Sequence, residues 1–259
     1  MNNNYVFYIN NNSDYAFNDI GIELFKLAIG MTYSINNKKI FAITDMNYIK
    51  IIQLFININF NLLDLSKLNS NYTCIALNTN NYKDKDQVDN ISNCIIKIDF
   101  AFDMISDDIR ELLSMGILGN PKYSITIHTK INEIMNFFRD YEINNYVCIY
   151  INKNTFNKNY YEKSYYNHFS DCKMIILTDD INWTIKHLDF INVNKCFFIN
   201  NDFNLRFINF ALFGCFNKFI LDKDNYTGLW CGFIGNRNKK IVVPSDINNS
   251  FFLSNWLKQ

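Results

Sequence analysis

Two prolines and eight glycines are all that this chain of 259 residues contains. The glycines do not cluster, so no Gly-rich loop is available to cradle a phosphate, which argues against a dinucleotide dehydrogenase or a P-loop nucleotidase. Histidine is as scarce: His128, His168 and His187 stand far apart, and the seven cysteines include no CxxC pair. That spacing argues against a structural zinc site. The cysteine count is odd, and most of the thiols sit inside apolar runs such as 146–151 and 195–199. They read as buried free thiols in a reducing, cytoplasmic compartment. Net charge is missing too: Lys+Arg 25 balances Asp+Glu 25, which leaves no global field to draw in nucleic acid or an anionic membrane. No apolar run reaches the length of a bilayer span, and the polar opening residues do not form a signal peptide.

What the chain does have is apolar bulk. At 49% hydrophobic residues it can bury a large core, and a chain of this length is expected to divide it between two sub-domains. Asn, Ile, Lys, Tyr and Phe dominate, the pattern of an AT-rich coding bias, which erodes Gly, Pro, Ala and Arg. Motifs are therefore expected in worn form, and the Asn runs at 2–4 and 10–12 follow from the same bias.

Strands and helices alternate along the sequence. The first half reads as strand Tyr5–Ile9, helix Asp19–Tyr33, strand Lys39–Ile43 and helix Met46–Ile58. Short strands at Cys74–Leu77 and Cys94–Ile98 follow, then helices Asp107–Met115 and Lys130–Phe138. The second half is more regular, with strands at Tyr146–Ile151, Met174–Leu177, Lys195–Ile199, Phe219–Leu221 and Lys240–Val243. Helices near 160–169, 182–188, 203–213 and 226–233 separate them. This rhythm predicts βαβ units and mainly parallel sheets. The polar stretch Asp140–Asn145 marks the expected boundary, giving an N-terminal α/β sub-domain over 1–142 and a C-terminal one over 143–259.

The most informative stretch is Ile176-Leu177-Thr178-Asp179-Asp180-Ile181-Asn182-Trp183. An apolar run breaks into two adjacent carboxylates, as a buried parallel strand does when its carboxyl end opens into a ligand crevice. The same residues would also serve as a solvated turn capping the next helix. The aromatics Phe156, Tyr160, Tyr161, Tyr165 and Tyr166 suit core packing, or stacking on sugars or bases. The basic pairs Lys38-Lys39 and Lys239-Lys240, each just before a strand, suit a solvated edge as well as a phosphate contact.

Taken in order, the motifs resemble those of the α-1,2-fucosyltransferase family of glycosyltransferases. The family's opening Gly-Leu-Gly-Asn-Gln-Leu-Phe-Gln is echoed by Asp19-Ile20-Gly21-Ile22-Glu23-Leu24-Phe25-Lys26. A second region is echoed by Asp99-Phe100-Ala101-Phe102-Asp103 with Asp108-Ile109-Arg110. Its Phe-Ser-Asp-Asp-Ile-x-Trp is matched by Leu177 through Trp183, with Tyr160-Tyr161 upstream as its tyrosine pair. Its Asn-Ser-Ser-Phe-Ser-Trp-Trp falls at Asp222 through Trp230, where Tyr226-Thr227 keeps an aromatic and a hydroxyl and one tryptophan remains, and its closing strand falls at Lys240 through Pro244. The resemblance implies a GT-B-like α/β fold, two Rossmann-type sub-domains facing across a cleft. It implies a GDP-sugar as co-substrate, a glycan acceptor, inversion at the anomeric carbon, and no metal or other cofactor. It places Asn152, Lys153, Asp179, Asp180, Tyr226 and Thr227 on the donor side and Gly21 and Glu23 on the acceptor side, and it names no catalytic residue.

One departure bears on activity. Where the family runs into His-x-Arg-Arg-x-Asp, this chain has Tyr150-Ile151-Asn152-Lys153-Asn154-Thr155. One point charge, Lys153, replaces two arginine forks, so charge developing on a departing diphosphate is less well stabilised. The alternatives are a catalytically inactive protein of this fold that acts as a binding module, or an unrelated nucleotide- or sugar-binding α/β protein.

Overall fold

The structure, a computed structural model, describes residues 5–8, 20–36, 40–43, 61–62, 73–77, 94–98, 106–201, 205–223, 225–235, 238–246 and 256–259. The expected helix over 46–58, the Asp99–Asp103 motif, Lys38-Lys39 and Asp19 lie outside them. The chain forms two compact units, Met1–Gly116 and Ile117–Gln259. They part inside a helix, upstream of the 142/143 boundary expected from the polar stretch.

The first unit is a parallel α/β structure. Strands β1 (Tyr5–Tyr8), β2 (Ile40–Ile43) and β3 (Asn61–Leu62) pair in that order, and β4 (Thr73–Leu77) pairs with β5 (Cys94–Ile98). All of these pairings are parallel. Helix α1 (Ile20–Asn36) joins β1 to β2. Leu24, Phe25, Leu27, Ala28, Ile29, Met31 and Tyr33 are all buried, so α1 is covered on nearly every side, which its almost wholly apolar sequence requires. Helix α2 (Asp107–Leu118) starts at Ser106, whose Oγ accepts from Ile109 N at 3.4 Å, with Asp107 and Asp108 in its positive first turn. Ile109, Leu113 and Ile117 form its buried stripe at four-residue spacing.

The second unit begins on helix α3 (Pro121–Phe138). Its first half was missed in the sequence because Tyr123, Ile125 and Ile127 alternate like a strand. In the helix Tyr123, Ile127 and Ile134 are buried, and Ile125 is exposed. Strand and helix then alternate through β6 (Tyr146–Ile151), α4 (Lys158–His168), β7 (Lys173–Thr178), α5 (Ile181–His187), β8 (Cys196–Asn200) and α6 (Arg206–Gly214). The chain ends on β9 (Lys218–Ile220), α7 (Tyr226–Phe233), β10 (Lys240–Val243) and β11 (Leu257–Lys258). The six strands form one parallel sheet in the order β11-β10-β9-β6-β7-β8.

That order is a doubly wound, Rossmann-like α/β arrangement. The chain lays β6, β7 and β8 outward in one direction, then returns to place β9, β10 and β11 on the other side of β6. The reversal between β6 and β9 makes a crevice at the carboxyl ends, where open α/β sheets bind ligands. The central strands carry continuous apolar runs because both faces are covered. Val147, Ile149, Ile151, Met174 and Ile176 share a core with Tyr161, Tyr165 and Phe169 of the α4 region.

Helices α6 and α7 end close together. Gly235, just beyond α7, has φ 80° and lies so near the end of α6 that a Cβ there would stand 2.9 Å from the carbonyl oxygen of Gly214. Lys239, expected on a solvated edge, is buried instead. Its ammonium donates to Gly214 O at 3.0 Å and Cys231 O at 2.9 Å and sits 4.8 Å from the centre of the Phe219 ring. Among the described residues, no helix is long and apolar enough to cross a membrane.

Candidate functional site

Four loops leave the carboxyl ends of β6, β7, β9 and β10, and the donor-side residues anticipated from the sequence lie on the first two and in the first turn of α7, which follows the third. After β6, the amide-rich sequence folds on itself. Asn152 Oδ1 accepts from Asn154 N at 2.9 Å and Asn152 O from Thr155 N at 3.2 Å, a tight turn with Lys153 exposed on it. Asn157 then caps α4, its Oδ1 accepting from Tyr160 N at 3.2 Å.

After β7, the two carboxylates part company. Asp180 caps α5, with Oδ1 accepting from Trp183 N at 3.0 Å, while its backbone oxygen accepts from the Thr184 hydroxyl at 2.8 Å. Asp179 is exposed and accepts from Asn201 Nδ2 at 2.9 Å, and the same amide reaches the Tyr150 hydroxyl at 2.8 Å. Of the two readings open for this pair, Asp180 takes the cap. Trp183 is half-buried, edge-on to Phe156 at 5.5 Å and stacked on His187 at 3.9 Å. Phe156 stacks in turn on buried Tyr161 at 5.2 Å, so these aromatics pack on the core.

After β9, Asn225 caps α7 through Gly228 N at 2.9 Å and donates its Nδ2 to Tyr150 O at 3.3 Å, tying the loop to the end of β6 across the reversal point. Thr227 is buried in the first turn of α7 and Tyr226 is half-buried beside it. In the first unit, Gly21 and Glu23 are buried in the first turn of α1, where the helix dipole favours a carboxylate.

Beside the reversal point is a cavity of about 300 Å³. Thr155 and Asn157 line it from the β6 loop, Asp222 and Lys223 from the β9 loop, and Ser245 and Asp246 from the β10 loop, together with Tyr160 of α4. The Tyr160 hydroxyl spans the crevice, its single proton shared between Leu221 O at 2.8 Å, just beyond β9, and Val242 O at 3.1 Å, near the end of β10. Burial above all, with the charge of Asp222 adding to it, pushes that phenol's pKa well up, so it stays a donor. Lys223 and Asp246 pair with each other, and the hydrogen bond from the ammonium holds the Asp246 carboxyl below its usual range.

None of Asn152, Lys153, Asp179, Asp180, Tyr226 or Thr227 lines this cavity. Of the residues that do, Thr155, Tyr160, Asp222 and Pro244 stood in the motifs read from the sequence without being assigned to a site, and nothing local marks Asn157, Ser245 or Asp246. The signal they carry is position, since each follows a parallel strand at its carboxyl end, and it becomes readable only once strand order is known. The thiols of Cys148, Cys172, Cys196 and Cys231 are buried and in no disulfide among the described residues, and burial pushes Cys148 well up and Cys196 to about 12. Among the described residues no group of three or more His, Cys, Asp or Glu side chains could hold a metal. No protein-family model and no curated protein matches the chain.

Proposed function

We propose that this protein is a binding module resembling the α-1,2-fucosyltransferases: a glycosyltransferase-like α/β protein that holds a GDP-sugar at the carboxyl edge of its second unit without transferring it. The observation that carries the reading is the cavity beside the point where the parallel sheet reverses its winding, the position at which such sheets bind ligands. The proposal includes a GT-B-like arrangement of two Rossmann-type sub-domains, a glycan as natural partner and no bound cofactor.

The argument against transfer comes from the β6 loop. Asn152 is committed to its own turn, leaving Lys153 as the cation of that loop, and the lysine of the cavity is already paired with Asp246. Losing one fixed positive donor for a leaving diphosphate costs roughly 3 kcal/mol of barrier, or about a hundredfold in rate.

The test measures GDP release from GDP-fucose alongside thermal shifts with GDP, UDP and ADP sugars. Saturable stabilisation by a GDP-sugar without GDP release is the expected result, since a ligand that binds the folded state raises its stability by mass action. Replacing Asn152→Arg with Lys153→Arg should gain turnover if the loop faces the diphosphate. Robust turnover by the natural sequence would restore the transferase reading, and no binding of any nucleotide sugar or sugar would remove the proposal altogether.

A further inference from the structure

The cavity does not suit every part of a nucleotide sugar equally. Two carboxylates, Asp222 and Asp246, face one ammonium, Lys223, and that ammonium is already paired with Asp246. A diphosphate would meet an excess of like charge. At about 300 Å³ the cavity lies at the small end of ligand pockets, room for one sugar ring.

Its polar atoms are of a different kind. The hydroxyls of Thr155 and Ser245 and the amide nitrogen of Asn157 have no hydrogen-bond partner among the described residues, although all three residues line the cavity. Hydroxyls donate and accept alike, and a carboxylate such as Asp222 can accept from two neighbouring hydroxyls at once. Tyr160, its own hydroxyl committed to Leu221 O and Val242 O, contributes an aromatic surface against which the C–H face of a pyranose can lie.

We infer that this cavity is a monosaccharide subsite, in which Thr155, Asp222 and Ser245 read the hydroxyls of a single pyranose and which excludes phosphate. The inference rests on the carboxyl-edge binding reading above and specifies which end of the ligand enters. The subsite should accept a free sugar with no nucleotide attached.

The experiment is saturation-transfer NMR on the full chain with a panel of free aldohexoses and their methyl glycosides, L-fucose among them, titrated with and without inorganic phosphate. At least one sugar should bind, and phosphate should not displace it. Thr155→Val and Ser245→Ala, both nearly isosteric, should each weaken that sugar roughly threefold to tenfold, the worth of one hydrogen bond. Asp222→Asn should weaken it further, and Lys130→Gln on α3, outside the cavity, should leave it unchanged. Sugar binding indifferent to all three cavity variants, or competed away by phosphate, would overturn the subsite. So would a chain that binds a GDP-sugar normally while no free sugar binds and Thr155→Val and Ser245→Ala change nothing. Absence of binding to nucleotide sugars and free sugars alike would overturn the carboxyl-edge reading itself, and the subsite with it.

Discussion

At the amino edge of the second unit's sheet, lysines standing at the starts of strands hold neighbouring elements in place. Lys173 pairs with Asp140 at 2.6 Å, Lys218 reaches Cys172 Sγ at 3.3 Å and Lys240 donates to His168 O at 2.9 Å. Just before β10, Lys239 bridges Gly214 O and Cys231 O. At the carboxyl edge the helices begin instead of end, and Asn157, Asp180 and Asn225 satisfy their amides from within the adjoining loop. Both edges face the same problem of orphan backbone groups at helix ends. At the amino edge Lys239 and Lys240 answer it by reaching helix-end carbonyls where the dipole is negative, while Lys173 and Lys218 tie side chains of neighbouring segments. The other answers it with short local caps, which leave space and uncommitted hydroxyls between the loops. The amino edge is thus tied together over long distances, while the carboxyl edge is capped locally and left open.

The largest effect should come from breaking the amino edge at its most buried cation. Lys239→Ala strands two buried carbonyls and opens a void, and about 3 kcal/mol or more should be lost in urea unfolding. Lys239→Met, which keeps the stem, should lose clearly less. Equal losses from Thr155→Val and Ser245→Ala would erase the distinction between the edges.

Next in size is Asp180. As a cap, Asp180→Ala should cost about 1 kcal/mol, whereas Asp180→Asn, which caps equally well, should cost little. Asp179→Ala, at an exposed position, should stay within about 0.5 kcal/mol. If Asp180→Asn instead left stability intact but abolished ligand binding, the carboxylate would belong to the site and the local-cap account of that loop would fail.

Alkali should weaken the unit before it reaches the free loops. Burial raises Tyr146 and Tyr165 to about 12 and Cys196 to about 12. Each ionises more readily in the unfolded chain, so its contribution is intact below the ordinary thiol and phenol values and drains away as pH climbs toward 12. Thermal melting should fall across that interval, and Tyr146→Phe should remove part of the fall. The smallest effect lies on the acid side. The hydrogen bond from Lys173, ahead of that from the Glu142 amide, holds the Asp140 carboxyl below its usual range. Its contribution is present above the ordinary aspartate value and vanishes as pH drops through the lowered one. The difference in melting temperature between the natural chain and Asp140→Asn should shrink to nothing over that interval.

The second unit's sheet was legible because β6 and β7 are buried on both faces, which forces apolar runs that no exposed strand would show. Helix α3 was half hidden, since β-branched residues in alternation imitate a strand until packing decides. The domain boundary was displaced for a related reason: a polar stretch signals a loop, whereas the division of the contacts falls inside α2. In the site, a capping carboxylate and a ligand-binding one have the same appearance in sequence, so Asp180 could not be assigned before Trp183 N was seen to point at it. Lys239 looked solvated because charge alone says nothing of two carbonyls waiting at the ends of distant helices. The cavity was legible only in fragments, as Thr155, Tyr160 and Asp222 stood in separate motifs and strand order alone makes their loops neighbours.

The meeting of α6 and α7 sets a steric demand on glycine at 214, 232 and 235. There an added Cβ would come within 2.7 Å of Ile234, 2.8 Å of Leu221 and 2.9 Å of a backbone oxygen, respectively. The side chains of Ile234 and Leu221 could shift aside, but at Gly235 the obstacle is main chain and the backbone itself is left-handed. At that one position steric exclusion and backbone conformation act together, so any side chain at 235 would have to push the end of α6 away from α7.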